Sequence, residues 1–182
     1  MNSIQFLKTA LKEYKMVGAL TPTSRYAVER IAGEIAAEDK YIVEYGPGDG
    51  VITKRILSVL PSDGRLAAIE IDRDFRAELE RIQDPRLSVV YDDAAVVSRE
   101  LADIGLPRID AVVSGIPFSL MKSQIRREII RHTHKALRPG GKLIAYQASL
   151  LVLPLLKNYF RAVQWRLEPR NLPPYFIIVA KK

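Results

Sequence analysis

Residues 41–50 read YIVEYGPGDG: five residues of strand character, then a turn with glycine on alternate positions. β-Branched and aromatic residues at 41–45 favour extended chain. Beyond the turn, Val51, Ile52, Ile56 and Leu57 fall at helical spacing. A strand that enters a glycine-rich turn and leaves as a helix is the context of a nucleotide-binding loop. Glycine lets the backbone approach a ligand closely, and the start of a helix presents free N–H groups. The spacing narrows the choice. A dinucleotide fingerprint needs glycine at position 51, which is Val51. A phosphate loop needs Gly-Lys followed by Ser or Thr, and none follows. What remains is an acidic residue ahead of three alternating glycines: Glu44, Gly46, Gly48 and Gly50.

Working outward, short apolar runs read as strands at 65–71, 87–91, 109–114, 142–148 and 175–181, with a weaker one at 161–168. Helical patterns alternate with them at 25–37, 51–60, 73–82 and 123–137, the last stopped by Pro139-Gly140-Gly141. This alternation predicts a doubly wound, seven-stranded, mostly parallel α/β sheet covered on both faces, with an antiparallel hairpin at one edge where the last strands crowd together. The 182 residues are enough for one domain with a real core. With no cysteine and only two histidines, no disulfide and no metal site is expected; His132 and His134 read as solvated. No apolar run reaches the ~20 residues of a membrane span. Lys8, Lys12, Glu13 and Lys15 interrupt any signal-peptide core, so a cytoplasmic chain is expected. The net charge of +7 points to an anionic partner, nucleic acid or acidic lipid.

The glycine segment resembles the first motif of class I S-adenosylmethionine-dependent methyltransferases, and the resemblance continues through four consecutive strand ends. It implies S-adenosylmethionine as cofactor. Glu44, Tyr45, Gly46, Gly48 and Gly50 would surround it at the first strand. Glu70, followed by Ile71, would meet the ribose hydroxyls at the second, Asp93 and Ala94 the adenine at the third, and Ser114 would close the site at the fourth. Adenine N6-methyltransferases carry Asn or Asp, any residue, Pro and then Tyr or Phe at this fourth place. Here Pro117 and Phe118 remain, but Ser114 stands where the amide would be. Residues 68–75, AIEIDRDF, also resemble the ribosomal RNA adenine dimethyltransferases. Those enzymes carry a further C-terminal helical domain, for which no room is expected after Lys182.

Bacterial phospholipid N-methyltransferases are the closer resemblance. It rests on residues 18–25, GALTPTSR, on Ser114-Gly115-Ile116-Pro117, and on NLPP at 171–174. It implies methylation of the amine of phosphatidylethanolamine towards phosphatidylcholine. Ser114, Gly115, Pro117 and Phe118 would form the catalytic segment, and Tyr26, Tyr45 or Tyr146 would line the acceptor pocket. The residues themselves add an argument for a lipid surface. Ile4, Leu7, Leu11 and Tyr14 form one apolar stripe flanked by Lys8, Lys12 and Lys15. A basic amphipathic helix over residues 1–20 is therefore expected to act as an interfacial anchor ahead of a methyltransferase domain at 21–182. The same stripe would equally suit a helix packed on the domain or on a partner. The expected partner is an anionic or aminophospholipid membrane, with the protein peripheral on the inner face. An RNA or DNA adenine N6-methyltransferase is the alternative, followed by a small-molecule methyltransferase and a non-catalytic cofactor-binding protein.

Overall fold

The computed structural model describes residues 22–182. The amphipathic helix expected over residues 1–20 and the start of the segment at 18–25 lie outside the described residues.

Three helices begin where a side chain, Ser24, Asp72 or Asp93, accepts one of the first free N–H donors. The helix α1 (Arg25–Ala32) is capped by Ser24, whose hydroxyl accepts from the Ala27 N–H, and it buries Ala27, Val28, Ile31 and Ala32. Strand β1 (Tyr41–Tyr45) leads into α2 (Val51–Val59), entered through Gly50 at φ +74°. Strand β2 (Arg65–Glu70) leads into α3 (Arg73–Glu80), capped by Asp72. After β3 (Leu87–Tyr91) come a single turn, α4 (Ala94–Val97), and a 3₁₀ segment, Ser98–Asp103. Strand β4 (Ile109–Ser114) and a 3₁₀ turn at Phe118–Leu120 lead to α5 (Ser123–Ala136). Then follow β5 (Leu137–Gln147), α6 (Leu153–Tyr159), β6 (Ala162–Glu168) and β7 (Tyr175–Lys181).

The strands form one sheet in the order β3-β2-β1-β4-β5-β7-β6. The first five strands are parallel, and β7 runs antiparallel between β5 and β6. The expected doubly wound sheet and its antiparallel edge are thus both present. One core cluster fills the face under α5 and α6, with Val43, Val112, Leu143 and Ile178 among its members. The other fills the face under α1 and α2, with Ile31, Ile42, Ile56 and Ile144. Burial of β1 and β4 on both faces explains why they read as continuous apolar runs.

At the N-terminal edge of the sheet, the fully buried Asp110 accepts the backbone N–H groups of Lys40 and Tyr41, at 2.9 and 3.0 Å, and pairs with Arg108 and Arg138. These contacts fix the edge opposite the site. The switch in strand order falls between β1 and β4, so their C-terminal ends diverge into a crevice, the place where open α/β sheets bind ligands.

The structure departs from the sequence reading in four places. Helix α6 has only seven residues with a proline in its first turn, too short for a periodic pattern to register. The turn at 94–103 is helical for the same short lengths. Strand β5 begins directly after α5, so Pro139-Gly140-Gly141 lies inside it, at a shift in register against β4. The histidines are half-buried: the His134 ring meets Phe160 edge-on at 5.1 Å, and His132 contacts Arg131.

Candidate active site

The C-terminal strand ends bring the glycine turn, Glu70, Asp93 and the 114–118 segment to one edge of the sheet. Gly46, Gly48 and Gly50 all adopt positive φ, at 65°, 59° and 74°, which L side chains adopt only with strain. Their surroundings differ. A Cβ on Gly46 would lie 2.9 Å from Ile116 Cγ2, so the turn packs directly on the β4 loop. A Cβ on Gly48 would find only Phe75, at 3.9 Å. Gly48 therefore borders open space, and its constraint is backbone conformation, not crowding by the protein.

Glu70, at the end of β2, is 5 % exposed. One carboxylate oxygen accepts the Gly48 N–H at 3.1 Å and the other accepts the Asp72 N–H at 2.9 Å. Each oxygen keeps a further lone pair for a ligand hydroxyl. Burial raises the carboxyl above its ordinary pKa against the opposing backbone hydrogen bonds. Ile71, half-buried, follows it. Asp93 caps α4 by accepting the Ala95 N–H at 2.8 Å, and Ala94 is buried beside it. Burial raises the Asp93 carboxyl as well.

Two residues of the first motif serve the scaffold. Glu44 is fully buried and accepts the Thr53 hydroxyl at 2.7 Å, tying β1 to α2 beneath the glycine turn. Burial pushes its carboxyl up to about 8, the Thr53 hydrogen bond opposing, and nearby Glu70 and Asp49 raise it further. Between the ordinary value of 4.5 and about 8, the folded chain therefore holds a proton that the unfolded chain has lost, so stability falls as pH rises through this window. Relative to Glu44→Gln, the wild type should lose up to about 1.4 kcal/mol per pH unit there. Thermal unfolding of both proteins from pH 5 to 8 checks this; parallel curves would rule it out. Tyr45 is likewise fully buried, its hydroxyl 3.1 Å from Thr133 Oγ1, and burial raises its pKa. Its side chain lies in the core, and only its backbone, which accepts the Gly115 N–H at 2.9 Å, borders the site.

The fourth strand end shows a similar division. Phe118 is 1 % exposed and packed in the α5-side core, so its ring is not offered to an acceptor. The Pro117 carbonyl already accepts the Leu120 N–H at 3.0 Å. Gly115 lies against Tyr146: a Cβ there would sit 2.3 Å from the tyrosine oxygen and 2.9 Å from the Gly46 carbonyl oxygen. Tyr146 is nearly buried and packs on Tyr175, ring centroids 5.7 Å apart. Tyr26 is 37 % exposed, with the Arg25 and Arg170 guanidinium carbons 4.8 and 4.0 Å from its ring centroid.

Ser114 is fully buried and its hydroxyl has no hydrogen-bond partner. Gln147, which sequence reasoning missed, is 1 % exposed; its Nε2 donates to the Ser149 carbonyl, while its Oε1 is unpartnered. Ser114 pairs in register with Ala145, two residues before Gln147. Strand alternation therefore puts both side chains on one face of adjacent strands. The only signal in the sequence was a polar residue at the end of an apolar strand. Asn171, the first residue of the NLPP segment, is buried; it accepts the Ser24 N–H and donates to the Pro173 carbonyl, at 2.8 and 2.7 Å. It ties the start of α1 to the loop before β7.

The residues present fit S-adenosylmethionine: three glycines held at positive φ, open space beside Gly48, and a buried carboxylate at the next strand end. Among the described residues, no cluster of acidic or histidine side chains suits a metal ion.

No protein-family model matches the chain. It is 30 % identical over 173 residues to the ornithine lipid N-methyltransferase of Singulisphaera acidiphila, a match covering 93 % of this chain and 90 % of that protein. It is also 30 % identical over 137 residues to ribosomal RNA small subunit methyltransferase A of Prosthecochloris aestuarii, covering 74 % of this chain and 49 % of that protein. The chain thus spans about half the length of this ribosomal relative. Among solved structures, N-methyltransferase NodS from Bradyrhizobium japonicum superposes with a TM-score of 0.69 at 16 % identity, over 86 % of this chain and 93 % of that one. The precorrin-6y C5,15-methyltransferase of Geobacter metallireducens superposes at 0.67 and 17 %, over 87 % and 88 %. Those two likenesses establish the fold, and the end-to-end relative establishes the family: the chain belongs to the class I S-adenosylmethionine-dependent methyltransferases.

Proposed function

We propose that this S-adenosylmethionine-dependent N-methyltransferase acts on the primary amine of a membrane-lipid headgroup, phosphatidylethanolamine first, converting it towards phosphatidylcholine at the membrane surface. The observation that carries the reading is the match to a lipid N-methyltransferase over 90 % of that protein's length. The SGIP segment at 114–117 and NLPP at 171–174 favour the ethanolamine headgroup. The relative itself favours a second reading, an ornithine-headed lipid, which also offers an amine.

When bound, S-adenosylmethionine supplies a methyl carbon on a positively charged sulfur. The chain has to supply position and an unprotonated amine. Glu70 and the glycine turn would hold the ribose end, and Asp93 the adenine end. A neutral primary amine carries two N–H donors and one lone pair. Ser114 Oγ and Gln147 Oε1, both buried and unpartnered, suit those two donors, leaving the lone pair for the methyl carbon. Methyl transfer to that lone pair, with loss of the carbon–sulfur bond, would leave the nitrogen an ammonium whose extra proton would pass to solvent. Among the described residues, no helix is long and apolar enough to cross a membrane, which suits action from the surface.

The test is extraction of lipids from cells that normally contain no methylated phosphatidylethanolamine and express this protein. Chromatography should reveal methylated forms. An unchanged lipid profile, with folded protein that binds S-adenosylhomocysteine, would reject the ethanolamine reading.

A further inference from the structure

Large apolar side chains are exposed on three separate loops at the edge of the sheet where the site opens. They are Leu120 (43 %) in the loop after β4, Leu151 (68 %) after β5, and Leu172 (69 %) before β7. Strands β4, β5 and β7 are neighbours, and β7 is antiparallel, so these loops emerge side by side at one edge. Isolated exposed leucines need no explanation, but three on adjacent loops to one side of the crevice do.

Within these loops and the start of α1 the charge has one sign. Residues 22–25, 115–122, 148–152 and 169–174 contain no Asp or Glu, and they carry Arg25, Lys122 and Arg170, all exposed. The carboxylate adjoining Arg170, Glu168, is fully buried and shared between Arg30 and Arg170, so this group keeps a net positive charge. Asn171 fixes the loop before β7 to the start of α1, holding Arg25 and Leu172 in one structural unit. Apolar tips flanked by arginine and lysine match the bilayer interface, where aliphatic groups reach past the headgroups and cations meet lipid phosphates.

We propose that these three loops form a rim that seats the mouth of the site on an anionic bilayer, leucines inserted and Arg25, Lys122 and Arg170 on the phosphates. The inference rests on the lipid reading above. It adds how the amine of a lipid reaches the site without the lipid leaving the membrane. The rim is distinct from residues 1–20, so an anchor there would tether the protein while the rim orients it.

The test uses the full chain and sedimentation with phosphatidylglycerol vesicles. Leu151→Ser with Leu172→Ser should weaken partition roughly tenfold or more. Melting temperature and S-adenosylhomocysteine affinity should stay at wild-type values, because both side chains are largely exposed. Val59→Ser, at an exposed apolar position at the opposite edge, should leave partition unchanged. Should the double variant lose stability, the single variants and Leu120→Ser each provide the same reading. Partition of the folded double variant equal to wild type overturns the proposal. The assay measures binding alone, so its outcome is separable from the substrate. Rim-dependent partition without ethanolamine-lipid methylation removes only the substrate reading, and methylation with rim-independent partition removes only the rim.

Discussion

Glu70→Ala is expected to weaken S-adenosylhomocysteine binding by about 10²- to 10⁴-fold, two hydrogen bonds to a buried charged group being worth roughly 1.5–3 kcal/mol each. The geometry adds to the loss. The same carboxylate accepts the Gly48 and Asp72 N–H groups, so its removal also frees the middle of the glycine turn. Glu70→Gln should fall between the two, since one amide oxygen replaces two carboxylate oxygens. Burial raises the Glu70 carboxyl above its ordinary pKa. Cofactor affinity should therefore decline on acidification earlier than an ordinary glutamate would dictate, because the protonated group accepts fewer hydrogen bonds. Titration calorimetry measures all three effects. Unchanged affinity in Glu70→Ala would remove this residue from the site.

Gly115→Ala is the second change with a large expected effect. Its Cβ would lie 2.3 Å from the Tyr146 oxygen and 2.7 Å from Cζ, and 2.9 Å from the Gly46 carbonyl oxygen. A flexible side-chain tip would swing aside, but Tyr146 is held by Tyr175 and almost buried. Gly115 itself is tied by its N–H to the Tyr45 carbonyl. Overpacking of this kind costs about 1–3 kcal/mol. It also displaces the crevice between β1 and β4, where a shift of about 1 Å is enough for a hundredfold loss of rate. The expected result is a melting temperature lower by several degrees and activity down by about two orders of magnitude. Wild-type activity would mean that Tyr146 moves freely and that the 114–118 segment does not position the acceptor.

The sheet and the order of the site's parts were legible in the sequence because they depend on local pattern. Strand runs at 41–45, 87–91, 109–114 and 175–181 match the observed strands end for end, since each is a β-branched or aromatic run bounded by turn residues. The glycines were legible because only that residue tolerates their positive φ. Which way a side chain faces was less so. Tyr45 and Phe118 stand beside motif positions in the chain, yet both rings fill the core under α5, a choice made by tertiary packing. Glu44 read as a ligand residue; one of its oxygens accepts the Thr53 hydroxyl, and the other is buried with no partner among the described residues. Gln147 could not be found from spacing, because only the strand register sets it on the same face as Ser114; Asn171 lay within the NLPP segment, but its tie to Ser24 arises only in the fold. The exposed leucines at 120, 151 and 172 lie in three unrelated stretches of sequence, and only the order of the strands makes them neighbours.

The most direct test of the account is a competition for one labelled methyl group. Purified full-length protein is incubated with methyl-labelled S-adenosylmethionine, mixed vesicles of phosphatidylethanolamine and phosphatidylglycerol, and unmodified ribosomal RNA, and the organic and aqueous phases are then counted and digested. Label is expected in the organic phase on methylated phosphatidylethanolamine, reduced in Gly115→Ala and in Gln147→Leu. Label on adenine in the RNA, with none in the lipid, would contradict it.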